Sequence, residues 1–213
     1  MRAMDGLADL LSFLDYAAVA VFGATGALAA ARRKHDIVTF GFFAAVTGVG
    51  GGTLRDLLIG APVFWVERPG YVLACLAAAL GVWLFGFGRW RELILLWLDA
   101  LGLAAYAVVG AAKATSLGAP PLAAVVMGVL TATFGGIVRD VLAGEPSVLL
   151  RREVYVSAAL LGAGVFVGLD AAGVGRLAAG GVGFAVALAV RGCAIVWRWS
   201  LPGFPDRRGA ADD

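Results

Sequence analysis

Long apolar stretches alternate with short polar turns seven times along the chain. The runs at 9–31, 36–59, 70–87, 93–114, 121–142, 154–169 and 174–196 approach the roughly 17–25 residues a helix needs to cross a hydrocarbon core. Apolar residues follow one another continuously in them, without the strict alternation of a spanning β-strand, and Ala, Leu and Gly dominate. The pattern therefore predicts an all-α integral membrane protein of seven transmembrane helices. It predicts a disordered end at 200–213, where Pro202 and Pro205 stand among mixed charges.

The pattern also repeats. GGGTLRDLLIGAP at Gly50–Pro62 is echoed by FGGIVRDVLAGEP at Phe134–Pro146, and the same offset of 84 residues pairs Leu14-Asp15 with Leu98-Asp99, Gly26-Ala27 with Gly110-Ala111, Thr47 with Thr131, Arg68 with Arg152 and Tyr71 with Tyr155. Each copy holds three spans. Because three is odd, the second copy must cross the bilayer upside down relative to the first. The expected architecture is two inverted three-helix repeats, 9–87 and 93–169, followed by an unpaired seventh helix at 174–196, in one membrane domain over 1–199. Inverted repeats place a shared pathway near the membrane midplane.

Composition agrees with a membrane location: 61% of residues are hydrophobic, 15% are charged and the mean hydropathy is +0.90. The net charge is only +2, but its placement is uneven. Arg32-Arg33-Lys34, Arg89, Arg91, Arg151-Arg152, Arg198, Arg207 and Arg208 fall after odd-numbered spans, whereas Arg2, Arg68, Lys113 and Arg176 are scattered on the other side. The positive-inside rule then predicts a multi-pass protein of the inner (plasma) membrane, with its N-terminus outside and its C-terminus cytoplasmic. Asp5, Asp9 and Asp15 surround the first span where a signal peptide would be basic, so that span is expected to be retained. Short basic loop clusters without a continuous stripe argue against a nucleic-acid partner. Cys75 and Cys193 sit in apolar spans outside any metal-ligand spacing and read as packing residues, and His35 lies in a basic turn. There is no HExxH, GxSxG or P-loop, so neither an enzyme nor a cofactor or metal site is expected.

The polar chemistry concentrates in spans two and five. Gly48, Gly50, Gly51 and Gly52 stand mid-helix in one and Gly135-Gly136 in the other, each costing about 1 kcal/mol of helix propensity relative to Ala and predicting a kink or break. The competing reading is that they let neighbouring helices approach closely. Helical spacing puts Thr47, Gly51 and Arg55 on one face and Gly48, Gly52 and Asp56 on the next, and Thr131, Gly135 and Arg139 repeat the first. Intramembrane charge at roughly 2.5–3.5 kcal/mol per residue faces protein or water, so a cavity lined by spans two and five is expected. Adjacent residues point about 100° apart, so Arg55 is not expected to pair with Asp56, nor Arg139 with Asp140. Depth predicts Asp15 with Arg55 and Asp99 with Arg139. For the seventh span, Gly173, Gly175, Gly180, Gly181 and Gly183 predict a brace held by close packing.

The duplicated glycine-rich plus Arg-Asp motif, GGGTLRD and FGGIVRD, in a seven-span chain of this length resembles the bacterial members of the trimeric intracellular cation channel family. The likeness covers nearly the whole chain. It implies a homotrimer in membrane lipid, each protomer carrying its own pore between inverted repeats and conducting monovalent cations such as K+ and Na+. It carries the kinks to Gly50, Gly51, Gly52, Gly135 and Gly136, and the pore-facing groups to Thr47, Arg55, Asp56, Thr131, Arg139 and Asp140. Animal members bind phosphoinositide near the pore. Lys113 is the comparable intramembrane lysine here, but it stands in Gly-Ala-Ala-Lys-Ala rather than the Lys-Glu-Val of those members. The same domain also carries the label of a glycine transporter, so a secondary transporter of a small solute is the rival expectation.

Overall fold

In the computed structural model, residues 2–86, 88–148 and 154–202 are described, without side chains before Asp15. Phe87, the Arg151-Arg152 pair, the chain beyond Pro202 and the side chains of Arg2, Asp5 and Asp9, all used above, lie outside the described residues. Among those described, the chain is helical throughout: α1 (Arg2–Arg32), α2 (Ile37–Leu58), a short α3 (Phe64–Glu67), α4 (Gly70–Phe85), a 3-10 turn (Gly88–Trp90), α5 (Arg91–Ser116), α6 (Pro121–Leu142), α7 (Val156–Ala171) and α8 (Arg176–Trp197). Each of the seven apolar runs coincides with one of the longer helices. Four segments, Ile37–Leu58, Gly88–Ser116, Pro121–Leu142 and Arg176–Trp197, are long and apolar enough to cross a membrane. The helices α4 and α7 have 16 residues each, about 24 Å at 1.5 Å per residue, and are shorter than a full hydrocarbon core.

Local chemistry accounts for the ends. Asp36 caps α2 by accepting from the Thr39 amide at 2.9 Å and the Thr39 hydroxyl at 3.0 Å. Pro121 opens α6, where a missing N–H costs nothing. The two central helices end identically. Gly60 and Gly144 take left-handed φ of 67° and 63°, and the amides of Ala61 and Glu145 reach back 2.9 Å to the carbonyls of Asp56 and Asp140. The duplicated Gly after Arg-Asp is thus a helix stop.

Packing repeats as the motif does. α1 packs on α2 and α4, α5 packs on α6 and α7, and α2 packs on α6 across the middle. α1 also lies on α5, where Phe22 and its counterpart at the 84-residue offset, Tyr106, stack with ring centroids 5.2 Å apart. Gly26 fits against the Phe43 carbonyl and the Thr47 hydroxyl, while Gly110 fits against the Met127 carbonyl and the Thr131 hydroxyl. The eighth helix lies on α5 and α7. A methyl group on Gly162 would meet the Gly183 carbonyl oxygen at 3.0 Å, and one on Gly183 would meet the Gly162 carbonyl oxygen at 2.8 Å. Close packing of α8 therefore rests on Gly183, whereas Gly173, Gly175 and Gly181 have open space beside them. Cys75 is buried between Gly23 and Gly48, and both cysteines are free.

Candidate functional site

The polar stripe sits at the crossing of α2 and α6. Thr47, Arg55, Asp56, Thr131, Arg139 and Asp140 are all buried, the most exposed of them at 6%. Of the kink or break expected at these glycines, no break forms: α2 runs unbroken through Gly50, Gly51 and Gly52, α6 through Gly135 and Gly136, and none of the five has positive φ. Their work is close approach. A methyl group on Gly51 would collide with the carbonyl oxygen of Thr131, and one on Gly135 would collide with the carbonyl oxygen of Thr47. The contact is reciprocal, Thr47-Gly51 on one helix against Thr131-Gly135 on the other. Gly50 lies 4.0 Å from the Gly135 backbone by the same measure, Gly52 faces the Phe64 ring and Gly136 faces the Tyr155 hydroxyl. Backbone bonding inside each helix survives the glycines because packing supplies what propensity lacks. At the crossing itself the two backbones are in contact, and the polar residues beside it are buried.

Each helix then carries its Arg-Asp pair below or above that crossing. Arg55 Nε donates to Asp56 Oδ1 at 2.8 Å, and Arg139 Nε donates to Asp140 Oδ1 at 2.9 Å. Both neighbour pairings therefore form, against the sequence expectation. The 100° step separates Cβ directions, and the long arginine arm curls back across that arc. The carboxylates also hold the next segment. Asp56 Oδ2 accepts from the Phe64 amide at 3.0 Å and Asp140 Oδ2 from the Val148 amide at 2.9 Å, eight residues on in each case. The motif accordingly fixes a helix end and the loop that follows it.

Beyond this shared core the clusters differ. Arg139 Nη1 lies 2.6 Å from Asp99 Oδ1, the partner that depth predicts, and it donates to Thr25 Oγ1 at 3.2 Å. Asp15 is not bonded to Arg55. It accepts a 2.5 Å hydrogen bond from the hydroxyl of Tyr71, whose ring stacks on Tyr16 at 4.1 Å. Arg55 instead stands 5.8 Å over the Phe64 ring, and Lys113 Nζ completes the cluster at 2.8 Å from Asp56 Oδ1. The Thr47 and Tyr155 hydroxyl oxygens are buried without a hydrogen-bond partner.

Sequence reasoning missed Arg191. It is 2% exposed in α8 and lies 5.0 Å over the ring of Tyr155, which itself abuts Gly136 beside Asp99 and Arg139. An arginine deep within an apolar 22-residue helix whose other charge, Arg176, is its first residue was the available signal, since intramembrane charge marks a functional or paired site by default.

Comparisons with known proteins match this geometry. The family model described as "Glycine transporter" matches twice, over residues 12–86 and 96–171, one match for each copy of the motif. The UPF0126 inner membrane protein YadS of Escherichia coli strain K12 is 39% identical over 206 residues, covering 92% of this chain and 96% of that protein. A UPF0126 membrane protein of Vibrio cholerae is 38% identical over 202 residues, covering 92% of this chain and 83% of that protein. Among solved structures, the TRIC trimeric intracellular cation channel orthologue from Rhodobacter sphaeroides is 53% identical with a TM-score of 0.86, over 89% of this chain and 99% of that one. A second structure, of a TRIC cation channel, is 30% identical with a TM-score of 0.81, over 92% of this chain and 98% of that one.

Proposed function

The chain belongs to the trimeric intracellular cation channel family, whose domain also bears the glycine-transporter description, and from that premise we propose that it is a cation channel rather than an enzyme. The channel is a homotrimer embedded in bacterial inner-membrane lipid, each protomer conducting K+ and Na+ through its own pathway between two inverted three-helix repeats. Seven helices (α1, α2, α4, α5, α6, α7 and α8) span, with the N-terminus outside and the C-terminus cytoplasmic. The observation that carries the reading is the reciprocal crossing of α2 and α6, with an Arg-Asp cluster beyond it on each helix. Thr47, Thr131 and the backbone oxygens around Gly51 and Gly135 stand where a dehydrated cation would find oxygen ligands. Asp56, Asp99 and Asp140 offset the guanidinium charges that would otherwise repel it. With these groups buried, we read the arrangement as a closed channel whose opening requires α2 and α6 to separate at the glycine contact. Gating therefore acts on a packed crossing and not on a glycine hinge.

The rival, a secondary carrier for a small solute such as glycine, draws on the description of the matched family and on the occlusion of the pathway. Reconstitution separates the two. Purified protein in planar bilayers with K+ or Na+ should give discrete unitary currents, and proteoliposomes should show no saturable uptake of radiolabelled glycine. Saturable uptake without unitary steps would overturn the channel.

A further inference from the structure

A second polar feature lies away from the α2–α6 crossing, where the C-terminal ends of α1 and α6 meet the start of α5. An open cleft of about 480 Å³ is lined there by Arg32, Arg33, Arg89, Arg91, Glu92 and Glu145. Four guanidiniums against two carboxylates leave the lining with a charge of +2. The arginines are held in place by the protein and are not simply waving in solvent. Arg32 Nη2 is 2.7 Å from Glu145 Oε2, Arg33 Nη2 donates to the Gly144 carbonyl at 3.1 Å, and Arg91 donates to the Gly88 and Ala31 carbonyls at 3.1 and 3.0 Å. Arg89 lies 5.3 Å over the Trp90 ring. Arg32 and Arg33 each spend one Nη2 on these bonds, Arg91 spends Nε and Nη1, and Arg89 spends no N–H on its ring contact, so each guanidinium of the lining retains donors. The 3-10 turn Gly88–Trp90, which runs directly into the 26-residue α5, sets Arg89 and Arg91 beside one another here.

We propose that this cleft binds a phosphate group. The chemistry that fits is a tetrahedral, doubly or singly negative oxyanion taken by guanidinium groups that protein contacts hold in place. Two sources could supply it, the headgroup of an anionic phospholipid or a soluble phosphate. The surface beside the cleft suits the lipid, because Leu84, Trp90 and Leu93 are exposed at 70%, 55% and 45% on the flanking helix ends, where an acyl chain and an interfacial aromatic would sit. Nothing in the inference depends on whether the chain conducts ions or carries a solute.

The test titrates the detergent-purified full chain with phosphatidylglycerol or with phosphatidylethanolamine, counting bound lipids by native mass spectrometry. A parallel arm follows thermal stability in inorganic phosphate against chloride. Arg33 and Arg89 are exposed and suit substitution. Phosphatidylglycerol should bind at least tenfold better than phosphatidylethanolamine, and R33Q/R89Q should lose that preference while R176Q, a charge remote from the cleft, keeps it. R33K/R89K, which keeps the charge and loses the bidentate fork, should weaken binding by an intermediate factor, and it carries the test if the glutamine pair fails to insert. Stabilisation by inorganic phosphate, lost in R33Q/R89Q and with no lipid preference, would support the site and assign it to a soluble anion. Equal binding of the two lipids without phosphate stabilisation overturns the proposal. So does an R33Q/R89Q protein that binds as the parent does, or an R176Q protein that loses as much.

Discussion

Arg55 and Arg139 occupy the same place in the same motif, make the same bond to the next residue and face different worlds. Around Arg139 the charges close on themselves: Asp99 at 2.6 Å, Asp140 at 2.9 Å and the Thr25 hydroxyl, all buried. Among the described residues Asp56 is the carboxylate bonded to Arg55, since Asp15 pairs with Tyr71, and a second cation, Lys113, shares Asp56 from a side chain 31% exposed. One half is thus a closed ionic lock and the other an ionic cluster with one edge toward solvent. Duplication gave both halves the helix stop and the carboxylate clamp, and the neighbours supplied by the other repeat decided the rest. Position 113 holds Lys where its counterpart, position 29, holds a buried Ala, so only one Arg-Asp pair receives a lysine.

The largest expected effect breaks that contrast directly. Asp99→Asn leaves Arg139 short of a buried counter-charge and should cost about 3–5 kcal/mol, whereas Asp15→Asn keeps an acceptor for Tyr71 and should cost about 1 kcal/mol. Resistance of the assembled protein to heat or SDS reads both, and equal losses would erase the distinction between the halves. Next come the two substitutions that should behave alike. Gly51→Ala and Gly135→Ala each drive a methyl group into the other helix's backbone, so each should destabilise by about 1–3 kcal/mol, with assembly and conduction failing together. A fully stable Gly51→Ala protein with altered currents would restore the hinge reading.

A smaller pair sharpens the shared part. Gly60→Ala and Gly144→Ala force a side chain into left-handed backbone and should each cost about 1–2 kcal/mol, with little difference between them, because neither faces a crowded site. Unequal costs in a thermal melt would mean that the helix stop does more in one repeat. The smallest effect belongs to Lys113→Met. Asp56 would retain Arg55 and the Phe64 amide, so the loss should be about 1 kcal/mol, and salt should narrow the gap between parent and variant because the lysine is partly solvated.

Much of the fold was legible because a bilayer admits few solutions: apolar runs of spanning length must be helices, and a duplicated polar motif within them must be buried against protein. The Asp99 pairing followed from depth alone. The failures have separate causes. Helix breaks at Gly50–Gly52 and 135–136 were inferred from propensity, which is worth about 1 kcal/mol per residue and yields to a close interhelical contact. Excluding Arg55 from Asp56 treated the side chain as its Cβ direction. Arg191 was passed over because α8 has no counterpart in the repeat.

By itself the sequence determined the all-helical class, the order and approximate ends of the helices, the two copies of the motif and the set of polar residues drawn to the centre. These are properties of local hydrophobicity and spacing, and each can be read along the chain without knowing what packs against it. Only the tertiary structure decided that the glycines serve a crossing, that Tyr71 takes Asp15, that Lys113 joins Asp56 and that Arg191 lies on Tyr155. Those choices depend on which side chain of a distant helix the packing places within a few ångströms of a buried polar group. In a medium without water to share, that placement settles the partner.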